Sequence, residues 1–326
     1  MTTVIIPAHN EGRVIRRLLE QLINDADPGE MDIIVVANGC VDDTAKVAAS
    51  FGPAVRVLTL PAASKYEALI AGDRAAAGFP RIYVDADVEV RTADVRALVA
   101  ALRQPGVLAA APPRELVMTG RPWWVRWYYD VWTQLPGVQH GLWGRGVIAV
   151  NEAGYGRLTD LPPVQGDDLA MSLMFEQHET LLVPGTRVIM HPPLTFVGLL
   201  SRRARCVTGV VQIEHTPGFD TSADRTRISD LIDIIRRQPR MLLPVGYFLS
   251  MAVFARLRAS PARVRGDYQT WLRDESSRTA AAVAAAQPAA QPIAQPTAQP
   301  TGVRPAVPVA AVPRQLDSRD HVPHNR

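Results

Sequence analysis

The chain has 326 residues, 47% of them hydrophobic and 21% charged, enough for one large domain or two small ones around a substantial core. That composition excludes collagen-like, fully disordered and multi-span membrane classes. A net charge of +3 from 35 basic and 32 acidic residues leaves no basic stripe of the kind a dedicated nucleic-acid binder carries. Cys40 and Cys206, the two cysteines, cannot by themselves build a disulfide framework or a four-ligand zinc site, and a reducing compartment is the default.

The chain opens with MTTVII running straight into Pro7, with no basic region or apolar stretch of signal-peptide length. The expectation is a cytoplasmic protein whose fold starts at about residue 2. Short apolar runs then alternate with amphipathic stretches. Strands are predicted at 3–7, 32–37, 55–60, 81–84 and 107–111. Helices are predicted around Val14–Ile23 and over 42–51, 65–77 and 93–102. This rhythm indicates βαβ units and a mostly parallel sheet with helices on both faces, an α/β class. From about residue 112 the rhythm changes. Residues 121–132 (RPWWVRWYYDVW) hold six of the chain's aromatics. A strand is predicted over 144–150, a helix starting near Asp167 with carboxylates at its positive end, and another helix over 196–214.

Residues 241–257 are nearly continuous apolar, interrupted by Pro244 and Gly246 and flanked by arginines. They read either as a buried or docking helix or as an interfacial membrane anchor, and they fall short of a full span. After Arg278 the chain becomes Ala, Pro and Gln, with an AQP unit ending at Pro288, Pro292, Pro296 and Pro300. So little apolar bulk cannot offset ordering entropy, and 279–326 reads as a disordered tail. The predicted organisation is a domain over 1–220, an amphipathic, basic helical extension over 221–278, and the tail.

Asp85-Ala86-Asp87 directly follows the fourth strand. Carboxylates at i and i+2 on a strand's carboxyl end can face one ligand above the sheet, which suits a hard divalent cation shared with a diphosphate. A solvated turn is the bland alternative. Pro7-Ala8-His9-Asn10-Glu11 ends the first strand, Asn38-Gly39-Cys40 ends the second, and Lys65 opens the third helix. All would ring the same crevice. Asn10, Glu11 and Asn38 suit a base or ribose and Lys65 a phosphate, although Asn38-Gly39 also reads as a plain turn and Asp42 or Asp43 as a helix cap. Arg202 and Arg205, at i and i+3 on a helix, are either a phosphate clamp or a solvated basic end. The tryptophans at 123, 124, 127 and 132 approximate a helical face, read as core or partner surface, or else as an acceptor wall with Trp124. His191 is either a late metal ligand or a satisfied loop histidine.

Taken in order, PAHNE, NGCVDDT, KYEALIAG, DAD, GDDL and RRARC resemble the inverting family-2 glycosyltransferases of the GT-A fold, over roughly residues 2–215. The resemblance implies a GT-A nucleotide-diphospho-sugar transferase fold and Mg²⁺- or Mn²⁺-dependent sugar transfer. Pro7, Ala8, His9, Asn10, Glu11 and Asn38 would line the nucleotide pocket, and Asp85 and Asp87 would match the metal and diphosphate motif. Asp167-Asp168 matches a glutamate–aspartate pair whose second member is the base, which makes Asp168 the base here. Arg202–Cys206 looks like a variant of the Q/R-x-x-R-W motif near acceptor and diphosphate. Ala37-Asn38 stands where Asp-Asp is usual; a UDP-sugar is the first expectation and a GDP-sugar the second. Cys206 replaces the tryptophan of processive synthases, which argues for single-sugar transfer.

The expected reaction moves one sugar to a glycan or lipid-linked acceptor of the cell envelope, with peripheral contact at the inner face of the membrane. Two rival classes are a nucleotidyltransferase, for which His9-Asn10-Glu11 is a poor match to a glycine-rich basic loop, and a non-catalytic binding module on a decayed transferase fold.

Overall fold

The computed structural model describes residues 1–222 and 225–265. These belong to the first of two compact units, Met1–Pro288. The second, Ala289–Arg326, and the tail expected over 279–326 lie outside the described residues.

The first four strands and helices follow the apolar runs closely. Strand β1 (Thr2–Ala8), helix α1 (Ile15–Ile23), β2 (Met31–Asn38), α2 (Thr44–Ala49), β3 (Val55–Leu60), α3 (Lys65–Ala75), β4 (Arg81–Val84) and α4 (Thr92–Ala101) succeed one another. Val4, Ile5 and Ile6 are all fully buried, because helices cover both faces of the sheet and no residue of the run has a solvent side. Helix α1 buries Ile15, Leu18, Leu19 and Leu22, the i, i+3, i+4, i+7 stripe that faces a core. Helix α2 is shorter than the predicted 42–51. Asp42 Oδ1 accepts the backbone N–H of Thr44 at 3.0 Å, so the chain turns there before becoming helical.

Five further strands follow: β5 (Ala109–Ala111), β6 (Arg114–Leu116), β7 (Val147–Val150), β8 (Thr180–Leu182) and β9 (Val188–Met190). The main sheet has the order β3-β2-β1-β4-β7-β5-β8, and β6 pairs with β9 in a small second sheet. All main-sheet strands run in one direction except β7, which is antiparallel to both β4 and β5. That exception shapes the site. An antiparallel neighbour brings its entering loop, not its leaving loop, to the carboxyl edge of β4.

The remaining helices are α5 (Trp123–Trp132), α6 (Pro136–His140), α7 (Glu152–Leu158), α8 (Asp167–Leu173), α9 (Phe196–Glu214), α10 (Ile228–Arg237) and α11 (Leu242–Arg265). A second apolar cluster joins Val125, Tyr128 and Trp132 of α5, Leu199 of α9, Ile234 of α10, and Val245, Phe248 and Met251 of α11. The extension therefore shares a core with α5 and α9. Pro244 does not interrupt α11. It sits in the first turn, where no helical acceptor awaits its missing N–H. With its preceding turn the helix reaches Pro239–Ala259, 21 residues at mean hydropathy 1.3 and 33% buried. By length and composition alone that is enough to cross a membrane, a correction to the shorter stretch read from the sequence.

Close packing of α3 on the sheet depends on Gly72, where a Cβ would meet Ile5 Cγ2 at 2.4 Å. Ile5 is β-branched and fully buried, so it has little room to yield. Gly72→Val is expected to destabilise the protein by about 1–3 kcal/mol, read as a lower urea midpoint; an unchanged midpoint would show that α3 can lift off the sheet without cost.

Candidate active site

The registers set the edge of the crevice. Strands β1 and β2 pair from Thr2↔Met31 to Ala8↔Ala37, so the loops that follow them start side by side. Their polar groups are spent largely on each other. Asn38 donates from Nδ2 to Ala8 O at 2.9 Å, and its Oδ1 accepts the N–H of Ser64 at 3.1 Å. His9 Nδ1 lies 2.7 Å from Asn38 O, and Asn10 Oδ1 accepts the N–H of Val41 at 2.8 Å. Asn38 is 1% exposed. Its expected place at a base or ribose gives way to a structural one, because a buried amide must be satisfied within the fold. Glu11, also buried, donates its backbone N–H to Thr44 Oγ1 at 2.8 Å. Pro7 lines the crevice, while Ala8 is buried beneath it.

The crevice is lined by Pro7, Lys65, Asp85, Gly146, Asp167 and Asp168 among others. Lys65 opens α3 behind Ser64, whose hydroxyl caps the helix by accepting the N–H of Glu67. Its Nζ lies 2.7 Å from Asp85 Oδ1 and 2.9 Å from Asp167 Oδ2. One ammonium thus ties the carboxyl end of β4 to the start of α8. Burial alone would lower the lysine's pKa, but Asp167, Asp85 and Asp168 together hold it above its ordinary value. Burial pushes the Asp167 carboxyl up to about 6, against the pull of Lys65 and with Asp168 and Asp85 adding to the rise.

Asp168 is the next residue of α8. Its Oδ2 accepts the N–H of Gly144 at 2.7 Å and its Oδ1 the N–H of Leu169 at 2.9 Å. Gly144 and Gly146 belong to the loop entering β7, and both have positive φ, +65° and +70°. Gly146 O accepts the N–H of Asp85 at 2.8 Å, and a Cβ on Gly146 would meet Val88 Cγ1 at 2.6 Å. The chain can pass this close to the Asp85–Val88 turn only with glycine there. Sequence reading missed both glycines. Their signal was the GRG run before a strand whose antiparallel direction no local pattern announces.

Behind Asp87 lies a buried polar network. Glu89 accepts Gln21 Nε2 at 2.6 Å, and its other oxygen lies 3.0 Å from Arg17 Nε and 2.6 Å from His191 Nε2. Arg17 also reaches the Asp87 carbonyl at 3.5 Å. The expected metal ligand His191 is thus engaged by Glu89, which supports the turn carrying Asp87 from behind. Among the described residues, no three His, Cys, Asp or Glu side chains converge as a ready-made metal site.

On the far side of Asp168 are guanidinium groups. Arg114 donates from Nη2 to Val138 O at 2.7 Å and lies over the Trp132 ring at 4.7 Å, while its buried Nη1 makes no hydrogen bond. Burial and Arg145 push Arg114 down to about 9; Asp168 pulls it back up and Arg202 opposes. Arg202 therefore acts within the electrostatic reach of Arg114. Arg205, half-buried on α9, and Trp124, packed with its Nε1 buried in the α5–α11 cluster, do not line the crevice. Arg114 was not legible as a site residue, being one arginine in a short strand.

Removing Lys65 leaves Asp85 and Asp167 facing each other without a cation. Lys65→Met is expected to cost about 1–3 kcal/mol at pH 7.5, with a smaller loss at pH 5, where Asp167 takes up a proton and the repulsion falls. Urea titrations at the two pH values check this, and an equal loss at both would refute the role of the two charges.

Residues 3–153 match the family described as Glycosyl transferase family 2. No curated protein matches the sequence. Among solved structures, the chain resembles the mannosyltransferase PcManGT from Pyrobaculum calidifontis in complex with GDP-Man and Mn²⁺. The identity is 19% and the TM-score 0.52, over 87% of this chain and 86% of that one. It also resembles glucosyl-3-phosphoglycerate synthase from Mycobacterium tuberculosis in complex with Mn²⁺ and UDP-glucose, at 18% identity and a TM-score of 0.50, over 68% of this chain and 80% of that one. The α/β architecture, with its site at the sheet's carboxyl edge, matches that of GT-A glycosyltransferase structures, and residues 3–153 within it resemble glycosyl transferase family 2.

Proposed function

We propose that the protein is an inverting glycosyltransferase that moves one sugar from a nucleotide-diphosphate sugar to a glycan or lipid-linked acceptor. The observation that carries this reading is the convergence of Lys65, Asp85, Asp167 and Asp168 on one crevice in a chain that resembles glycosyl transferase family 2. Asp168 serves as the base. Its carboxylate is oriented by two backbone N–H groups and faces the crevice, the arrangement a base needs to take a proton at a defined position. In one displacement the acceptor hydroxyl oxygen bonds to the anomeric carbon as the bond to the diphosphate oxygen breaks, and Asp168 receives the hydroxyl proton. A single displacement inverts the anomeric centre.

The donor set suits Mg²⁺ or Mn²⁺. Asp85 and Asp87 offer hard carboxylate oxygens from one turn, and two carboxylates leave coordination positions for a substrate diphosphate. With His191 held by Glu89, Asp87 would be the main protein ligand, and Asp85 would share its charge between the metal and Lys65. A divalent cation bound there supplies charge stabilisation of the leaving diphosphate. Lys65 adds positive charge on the same side, and Arg114 and Arg202 make the acceptor side favourable for an anionic acceptor. The two solved relatives with Mn²⁺, one with GDP-Man and one with UDP-glucose, support a nucleotide-sugar donor and leave both nucleobases to be tested. UDP stays the first expectation from the family resemblance, and Asn38, engaged within the fold, does not decide between the two nucleobases.

A donor panel of UDP-, GDP- and dTDP-sugars tests the reading by calorimetry with Mn²⁺, with Mg²⁺ and without metal. One donor is expected to bind only with metal, and Asp87→Ala to abolish that binding. Asp168→Asn is expected to bind the donor unchanged while turnover falls about 10²–10⁴-fold. If no nucleotide-sugar binds with either metal, the non-catalytic binding-module reading takes its place.

A further inference from the structure

Helix α11 is apolar on both sides, and only one side is covered. Val245, Phe248, Met251, Ala255 and Ala259 are buried, and the first three pack with α5 and α9. Leu242, Leu249, Val253 and Leu257 form a second line at i, i+7, i+11 and i+15, with Leu243 and Phe254 beside it. All six are between 47% and 68% exposed. The stripe is about 23 Å long at 1.5 Å per residue. No charge interrupts it, and Arg256 and Arg258 border it on its two edges around the helix. Isolated exposed apolar residues need no explanation, but a contiguous stripe of this size marks a contact surface.

The charge around the stripe identifies what covers it. Residues 239–259 contain three arginines, Arg240, Arg256 and Arg258, and no aspartate or glutamate, in a chain whose net charge is only +3. At one edge Trp123, 55% exposed, lies with its ring centroid 6.1 Å from Tyr247 of α11 and 4.7 Å from Trp127. Aromatic rings with one wet and one apolar end sit well at the headgroup level of a bilayer. A docked helix with an apolar outer face, bordering arginines and an aromatic fringe fits an anionic lipid surface better than a protein partner. The opposite face is already committed to the protein core, so the helix lies in the interface plane instead of crossing it.

We propose that the outer face of α11 is a membrane-contact surface for bilayers with anionic headgroups, holding the domain against the membrane without spanning it. This surface stands apart from the sugar-transfer chemistry and is tested independently of it. The full-length protein is sedimented with vesicles of phosphatidylcholine, alone or mixed with phosphatidylglycerol. Binding is expected to the mixed vesicles, weakened by salt, and reversed by alkaline carbonate. Leu249→Glu with Val253→Glu changes two exposed positions and is expected to weaken binding at least about tenfold with thermal stability and nucleotide binding unchanged. Arg256→Gln with Arg258→Gln is expected to reduce the preference for phosphatidylglycerol.

Four results would overturn the proposal. They are no binding to either vesicle, binding indifferent to the two glutamates, retention after carbonate as for a span, and a self-association abolished by the glutamates in a protein that ignores vesicles. The last would assign the stripe to a second copy of the chain.

Discussion

The site depends on one ammonium group placed between two carboxylates. Lys65 reaches Asp85 at the end of β4 and Asp167 at the start of α8, segments 82 residues apart in a chain that has only two lysines. Three like-charged carboxylates, Asp85, Asp167 and Asp168, need a counter-ion to share a half-buried crevice, because like charges at this range repel one another. A lysine suits the place better than an arginine. Its compact charge fits between two oxygens at 2.7 and 2.9 Å without demanding the planar geometry of a guanidinium. The same charge is placed to meet a diphosphate, so the group that holds the crevice together also favours the ligand proposed for it.

Backbone approaches without side chains do the remaining positioning. Gly146 lets the loop entering β7 touch the Asp85–Val88 turn, and Gly144 donates to Asp168. On the other side of α8, a Cβ on Gly209 of α9 would come within 2.9 Å of Gly166 N, the residue just before Asp167. Helix α9 therefore sets where α8 begins, and with it the aim of both carboxylates. The carboxylates are held by a β4–β7 contact, an α3 lysine and an α9 glycine, from four elements distant in sequence.

That distribution explains what could be read from the sequence. Strands β3 and β4 and helix α9 fall at the predicted residues, because buried parallel strands are unbroken apolar runs and α9 starts at a clear cap: Thr195 accepts the N–H of Gly198. The grouping of Lys65 with Asp85 was legible too, since both lie at the carboxyl edge of an α/β sheet, where the rule for ligand sites is topological; Asp167 and Asp168 were placed there by the family resemblance alone. Asn38 and His191 each carried two readings, a ligand contact or a structural place, for a common reason. A polar residue at a strand end looks the same in sequence whether it faces a ligand or fills a buried hydrogen-bond position, and only the partners, Ala8 and Ser64 in one case and Glu89 in the other, tell them apart. Gly144, Gly146 and Arg114 were invisible because their roles arise from the direction of β7 and the packing of α5, both long-range.

The extension follows the same logic at a larger scale. Pro244 and Gly246 looked like breaks in an apolar stretch, yet at the first turn a proline costs a helix little, and α11 runs on to Arg265. Once continuous, its apolar surface exceeds what α5 and α9 can cover, and the outer stripe is what remains. Helix α9 packs on both sides of this arrangement. Leu199 joins the α11 cluster, while Gly209 and Ile213 meet the start of α8. The surface proposed to lie on lipid and the carboxylate proposed to take the acceptor's proton are thus fixed to one rigid 19-residue helix. An acceptor with a lipid end and a reactive hydroxyl at its other end has to satisfy both at a set separation. A lone helix tethered by a flexible linker would leave that separation undefined; packing both functions against α9 defines it.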